Sequence, residues 1–489
     1  VEKKTNPRVA WFSENARRKI VDDAKRILSE VGVFVENDDA ASLLDGAGCR
    51  VEKSTRRVKI PAAVVETAVE SAPSRVVLHN RRGEPAMDLG GDRVHFNPGS
   101  AALRIYDARE GRAREAVTAD LVRFVTLTDA LPHYAAQSTG LISSDVPQDI
   151  QDRYRVFIGL RHSSKPIVTG TFKVEGFKVM HEMLAAVAGD AETLREKPNA
   201  IFDCCPSPPL KWSDLTAQAL IDCARTGLVA ELISMPLTGA TSPVTLAGAV
   251  VQHCAECLSG IVIHQLASPG APIVYGGSPA CFDMRKGTTP MGAVETMMID
   301  GAYAEIGKHL GLPVQAYMAL SDSKLPDYQA GMETAMGAVI AALSGINNIS
   351  GPGMLDFESC QSLEKLVLDN EVCGMALRLA SGIEFRDDPI VSPELMREGI
   401  ERGSFLALAH TMRWFRKEAY FPDEVVDRNA LDEWRKQGSK DALRRASERV
   451  EKILASHAPE PLDSAVEKHL RDLMEREAKR HGMSALPKE

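Results

Sequence analysis

The sequence predicts an α/β fold of the (β/α)8 TIM-barrel type, with an N-terminal α/β cap segment and a C-terminal helical extension. Three observations predict it. Short apolar runs cross the middle of the 489-residue chain eight times, and each breaks into small or polar residues at its C-terminal end. From Val94 onward their starts recur every 29 to 44 residues. The gaps mostly carry a 3.6-residue apolar period, as strand and crossover-helix units require.

Residues 1–92 precede the first barrel strand. Ser13 is placed to cap a helix with Ala16 at its third position, so only half of a capping box is present. A second helix passes through Ala40–Leu44, followed by a small β region around Arg57–Ile60 and Val76–His79, with Arg81-Arg82-Gly83 as a turn. The barrel, residues 93–381, takes its strands from Val94–Phe96, Tyr134–Ala136, Pro166–Val168, Ala200–Phe202, Val229–Ile233, Ile273–Tyr275, Val314–Met318 and Asn347–Ile349. After the first strand, Ala101–Arg112 is expected to form an inserted hairpin with a charged tip, and Thr118 to cap the first crossover helix. Val244–Gln265 reads as a long helix whose small residues allow close approach to a sheet. Residues 382–489 change to helices separated by charged links.

Composition narrows the function classes. The chain is 44% hydrophobic and 26% charged, as expected of a soluble globular protein. A net charge of −9 with no compensating Lys/Arg block argues against a nucleic-acid surface. No uninterrupted apolar run reads as a membrane span, and no apolar core follows the N-terminal lysines as in a signal peptide. Nine cysteines, an odd number mostly within apolar stretches, suit a reducing compartment, so a cytoplasmic protein is expected.

Barrel chemistry sits on the loops after the strands, which makes residues there the first candidates. Phe96, Gln137, Tyr275, Phe282, Tyr317 and Asp322 are expected to converge at the mouth as substrate contacts. Aromatic faces and a carboxylate attract a quaternary ammonium through charge–quadrupole and Coulomb terms. Cys254-Ala-Glu-Cys257 beside His253 has the spacing of a metal-ligand pair but lacks a second pair, so buried packing is expected and no metal site. Gly276-Gly277 and Gly351-Pro352-Gly353 follow strands six and eight; phosphate loops of barrels follow strands seven and eight, but strand seven here ends in Asp322, followed by Asp327, which would repel phosphate. No Gly-x-Ser-x-Gly, Walker or His-Glu-x-x-His motif occurs, and no side chain is assigned a catalytic role.

The segments Ser321–Gly331, Gly351–Asp356, Leu366–Glu371 and Trp414–Pro422, supported by Asp145–Pro147 and Ser207–Leu210, carry a family resemblance as a set. The chain resembles the trimethylamine methyltransferase superfamily, specifically its members without pyrrolysine, which act on quaternary amines such as glycine betaine. The resemblance implies transfer of a methyl group to Co(I) of a corrinoid held by a separate protein. It implies no tightly bound cofactor, a cognate corrinoid protein and an amine as partners, and a homo-oligomer. The mouth must then admit a corrinoid face, and Gly276, Gly277, Gly351 and Gly353 are expected to leave the space. Lys211, with Arg285 and Lys286, is the candidate for binding a betaine carboxylate. Two alternatives stand beside this: a zinc-thiolate methyltransferase on a similar barrel, and a non-catalytic betaine-binding barrel.

Overall fold

The computed structural model describes residues 4–489. Eight parallel strands form its centre: β1 (His95–Asn97), β2 (Gln137–Ser138), β3 (Ile167–Gly170), β4 (Ala200–Cys204), β5 (Val229–Leu232), β6 (Ile273–Val274), β7 (Gln315–Tyr317) and β8 (Asn348–Ser350). Ladders join β2 through β6 in sequence, and a second set joins β7, β8 and β1. Parallel bridges Phe96 to Tyr134 and Tyr275 to Val314 join the two sets, so the ring is closed. The apolar runs locate all eight strands, with ladders shifted by up to three residues. Burial marks the run, whereas backbone pairing marks the strand.

The helices following these strands are α1 (Thr118–Ala130), α2 (Gln151–His162), α3 (Val174–Ala188), α4 (Asp214–Thr226), α5 (Leu246–Ala267), α6 (Val294–His309), α7 (Tyr328–Leu343) and α8 (Leu363–Ala380). Thr118 is not the cap of α1. It is the first helical residue, and its amide and hydroxyl donate to Asp145 Oδ1 at 3.0 Å, while Val117 holds the cap position. The expected hairpin forms from Arg104–Asp107 and Arg112–Glu115. Its first strand also pairs with Cys360–Gln361, linking the loops after β1 and β8.

Small residues do bring α5 close to the sheet. A Cβ on Gly260 would sit 2.7 Å from both Leu232 and the Trp212 ring. By length and composition α5 could cross a membrane, which the sequence reading did not anticipate. Most of it is buried within the protein, against α4, α6 and the N-terminal helices Glu14–Glu30 and Ala62–Ser71. A core helix covered on every side has no polar face to keep.

The N-terminal segment covers one flank and the bottom of the barrel rather than its mouth. Ser13 Oγ caps Glu14–Glu30 by accepting from the Ala16 amide at 3.4 Å. Strands Val33–Val35, Arg50–Glu52 and Arg57–Lys59 form a sheet that is completed by Lys211–Trp212 from the loop after β4. The hairpin Arg75–His79 with Pro85–Gly90 places Val76, Leu78, Met87 and Leu89 against Ala136, Val168, Ile201, Val229 and Val274. Those partners lie at the N-terminal ends of the strands, so the hairpin plugs the bottom of the ring.

At the C-terminus, Ala442–Ser456 packs on α8 and α1, and Ser464–Arg480 packs on α2 and α3. The second contact contains a fully buried cation. Arg153 of α2 lies between Asp152 at 2.9 Å and Glu477 at 2.8 Å. Between these regions, helices Pro393–Arg402 and Ala409–Glu418 leave Ile400, Leu406 and Met412 exposed.

Candidate active site

Alternation along each strand sends every second side chain into the ring. Above the apolar bottom layer of Val168, Ile201, Val229 and Val274, the next inward residues on β4 and β5 carry carboxyl groups, while Gly170 and Gly276 stand above Val168 and Val274. Asp203 on β4 and Glu231 on β5 are direct neighbours in the ladder, two residues beyond Ile201 and Val229. Asn348 Nδ2 donates to Glu231 Oε1 at 2.7 Å, and Asn97 Nδ2 donates to Asn348 Oδ1 at 2.7 Å. Ser350 Oγ donates to Asn97 Oδ1 at 3.0 Å, closing a chain across β5, β8 and β1. From the opposite wall, Tyr317 Oη donates to Asp203 Oδ2 at 3.0 Å.

Two adjacent carboxyl groups in a buried ring cannot both ionise freely. Burial first, then the charge of Asp203, pushes Glu231 well above the usual carboxylate range. Asp203 is pushed up by burial to about 6, restrained by its hydrogen bonds to Tyr317 and Glu231 and by the charge of Arg155. Near neutrality the pair therefore holds one proton and carries one negative charge. Among the described residues, Asp203 Oδ1 and Glu231 Oε2 accept from no group outside the pair.

A third carboxyl group, Glu358, comes within electrostatic reach of Asp203, and burial raises its pKa further. It is carried by three successive left-handed residues, Asp356, Phe357 and Glu358, with φ of 52°, 55° and 67°. Each non-glycine residue there costs roughly 1–2 kcal/mol, so surrounding contacts must hold the turn. Lys324 does so, lying 3.7 Å from the Phe357 ring centroid and 3.5 Å from Asp356. Asp203 and Glu358 each keep some accessible surface although protein surrounds them, so they line a recess. Chemically, the recess is an acidic well suited to a cation.

The structure redistributes the residues expected at the mouth. Tyr317 points into the ring. Phe96 does not: it pairs with Tyr134, whose hydroxyl donates to Leu366 O on α8, so both point outward into the helix layer. Gln137 pairs with Ile167, which packs on Gly159 of α2, and it too faces outward. Tyr275 lies against Gly307 of α6 and His253 of α5, fully buried behind the sheet. Phe282 is half-buried on the loop after β6. Asp322 is close to the mouth, but Oδ1 accepts from the Met291 amide at 2.9 Å and Oδ2 from Gly292 at 3.0 Å, pinning that loop.

Lys211 is an outer residue. Its strand pairs with Val33–Val35, and its ammonium lies over Phe34 at 5.2 Å, away from the mouth. Arg285 and Lys286 are exposed, and Arg285 pairs with Asp283 at 3.1 Å. The four glycines leave no open space either. A Cβ on Gly276 would meet Gln315 at 2.4 Å, on Gly277 His253 at 2.3 Å, on Gly351 Met318 O at 2.1 Å and on Gly353 Gln361 at 2.0 Å. They permit close packing of loops on their neighbours.

Cys254, Cys257 and His253 are fully buried in α5, and burial raises both thiols. Among the described residues, no three His, Cys, Asp or Glu side chains converge as a metal ion would need. Asn97 and Asp203 stand among the loop residues that follow the predicted strands, without their inward direction; Glu231, Asn348 and Glu358 are missing from the sequence reading. A carboxylate two positions beyond an apolar residue in a buried strand was the available signal.

A family model described as trimethylamine methyltransferase (MTTB) matches residues 1–482. The chain is 32% identical over 478 residues to trimethylamine methyltransferase MttB of Desulfitobacterium hafniense (strain DSM 10664 / DCB-2), covering 97% of this chain and 95% of the relative. It is 30% identical over 478 residues to a glycine betaine methyltransferase of Desulfitobacterium hafniense (strain Y51), covering 97% and 98%. Among solved structures, the Methanosarcina barkeri monomethylamine methyltransferase MtmB superposes with a TM-score of 0.53 at 12% identity, covering 92% of this chain and 89% of that one. At that identity the likeness concerns the barrel fold alone.

Proposed function

From a chain that belongs to the trimethylamine methyltransferase family, and is thereby a methyltransferase acting on methylated amines, we propose a specific reaction. A methyl group moves from a quaternary amine, glycine betaine or a similar betaine, to Co(I) of a corrinoid supplied by a partner protein. The observation that supports this reading is the Asp203–Glu231 pair, one negative charge on the inner wall of the ring. A quaternary ammonium has no N–H to donate, so charge and shape must hold it, and the singly charged carboxyl pair suits that demand.

The chemistry asks little of general acids. Co(I) supplies the electron pair of the new Co–C bond; the C–N bond electrons remain on nitrogen, which leaves as a neutral tertiary amine. The chain's own residues then have two tasks. Asp203 and Glu231 fix the nitrogen deep in the ring, with Tyr317 and Asn348 orienting the two carboxyl groups. The surrounding wall excludes water from the methyl group. The test is incubation with Co(I) cobalamin and a panel of methylated amines, read by the methylcobalamin spectrum. Turnover is expected with quaternary amines; none with any of them rejects the reaction.

A pH dependence follows from the same pair. The anionic pair binds the cation, and Asp203 takes up its proton near pH 6 as pH falls. Affinity for tetramethylammonium should therefore weaken below about pH 6, by at most about tenfold per pH unit. Asp322 also titrates at about 6, so the profile must flatten in Asp203→Asn. Calorimetric titration from pH 7.5 to pH 5 reads both, and a wild-type affinity that stays constant across that range contradicts the assignment.

A further inference from the structure

Arg155 is a buried cation near the acidic well, and no carboxylate among the described residues contacts it directly. It sits in the second turn of α2, just after β2, and is 1% exposed. Its Nη1 donates to Thr139 O at 2.7 Å, and its guanidinium lies 4.6 Å from the Phe172 ring centroid on the loop after β3. Nε has no hydrogen-bond partner. Among the described residues no carboxylate lies within ion-pair distance of it. The charges that reach it are those of Asp152 and Asp203, with Tyr317 beyond. Asp152 is already engaged by Arg153, by the Phe172 amide at 2.9 Å and by Thr171 Oγ1 at 3.3 Å.

A buried guanidinium with no carboxylate in contact is costly unless something completes it. Stacked on Phe172, with one edge fixed on Thr139 and another unfilled, it keeps the planar fork that matches a carboxylate. We propose that Arg155 binds the carboxylate of a zwitterionic substrate, so that this enzyme selects methylated ammonium compounds that carry an acid group. The inference rests on the cation reading of Asp203 and Glu231 and adds the opposite pole. One end of the molecule would lie against the β4–β5 carboxyl pair, the other under the loops after β2 and β3. It replaces Lys211, Arg285 and Lys286, which lie outside the ring or exposed to solvent.

The experiment compares glycine betaine with tetramethylammonium and choline, which carry the cation alone, by calorimetric titration of the full chain. Wild-type protein is expected to bind betaine more tightly than both. In Arg155→Gln, betaine affinity should fall roughly 30-fold or more while tetramethylammonium changes less than about twofold. Arg155→Lys, which keeps the charge but not the fork, should lose an intermediate amount. Melting curves of each variant separate loss of folding from loss of binding. Equal losses for betaine and tetramethylammonium would make Arg155 a scaffold residue and overturn the proposal, as would a wild-type protein without preference for the zwitterion. If the wild type binds none of the three, the cation reading fails first, and this inference with it.

Discussion

Asp203→Asn is expected to remove quaternary-ammonium binding and turnover together, with a loss of about 3–5 kcal/mol, or roughly 10²–10³-fold and beyond, in kcat/KM. The substitution preserves size and leaves Tyr317 a hydrogen-bond acceptor. It removes the charge of Asp203, while burial, the largest cause that raises Glu231, still opposes ionisation there. The fold should tolerate it, since Asp203 lies in a ladder whose backbone pairing does not involve the side chain. Removal of a buried charge should make the variant as stable as the wild type or more so above pH 6. The sign follows from linkage: a carboxyl whose pKa is raised on folding favours the native state at low pH and loses that contribution as pH rises through about 6. Kinetics on a quaternary amine, paired with a denaturation midpoint at pH 7.5, reads both. A variant that folds normally and retains more than a tenth of wild-type kcat/KM would show that the charge is not what holds the substrate.

Arg153→Ala is expected to be the most damaging change to stability, costing about 3–5 kcal/mol. The wild-type guanidinium is fully buried between Asp152 and Glu477, so its loss leaves buried Asp152 without that cation and Glu477 with only the exposed Arg480. The contact joins α2 to the C-terminal helix Ser464–Arg480, which should then exchange its amide hydrogens faster than the barrel strands. A second consequence is local: Asp152 also holds the Phe172 amide, so the loop beneath Arg155 should loosen. Hydrogen exchange and denaturation midpoints test this. A shift below about 1 kcal/mol, with unchanged exchange in Ser464–Arg480, would show that the three charges contribute little.

The eight strands were legible because each is a short apolar run between helices of regular length, and a closed parallel ring buries both faces of every strand. That same property hid the site. When both faces are apolar, a run such as Ile273–Tyr275 does not reveal which residues point inward, and Phe96 and Tyr275 were assigned to the wrong face. The phase is set by the bottom layer, where Val168, Ile201 and Val274 meet the hairpin strands; counting two residues up from Ile201 and Val229 gives Asp203 and Glu231. Lys211 failed for another reason: nothing local announces that its strand pairs with residues far upstream. Arg155 was invisible because in sequence it is one of several arginines in α2; its isolation from carboxylates exists only in three dimensions.

The hairpin at Arg75–His79 and Pro85–Gly90 makes the barrel a blind well. For the transfer proposed above, this dictates a queue. An amine seated against the inner wall and a large methyl acceptor must use one doorway, so the acceptor can dock only after the amine has gone in. The spent tertiary amine, trapped below, can leave only once the acceptor has withdrawn. Compulsory order would then be a property of the floor of the barrel, built from four apolar side chains that never meet either reactant.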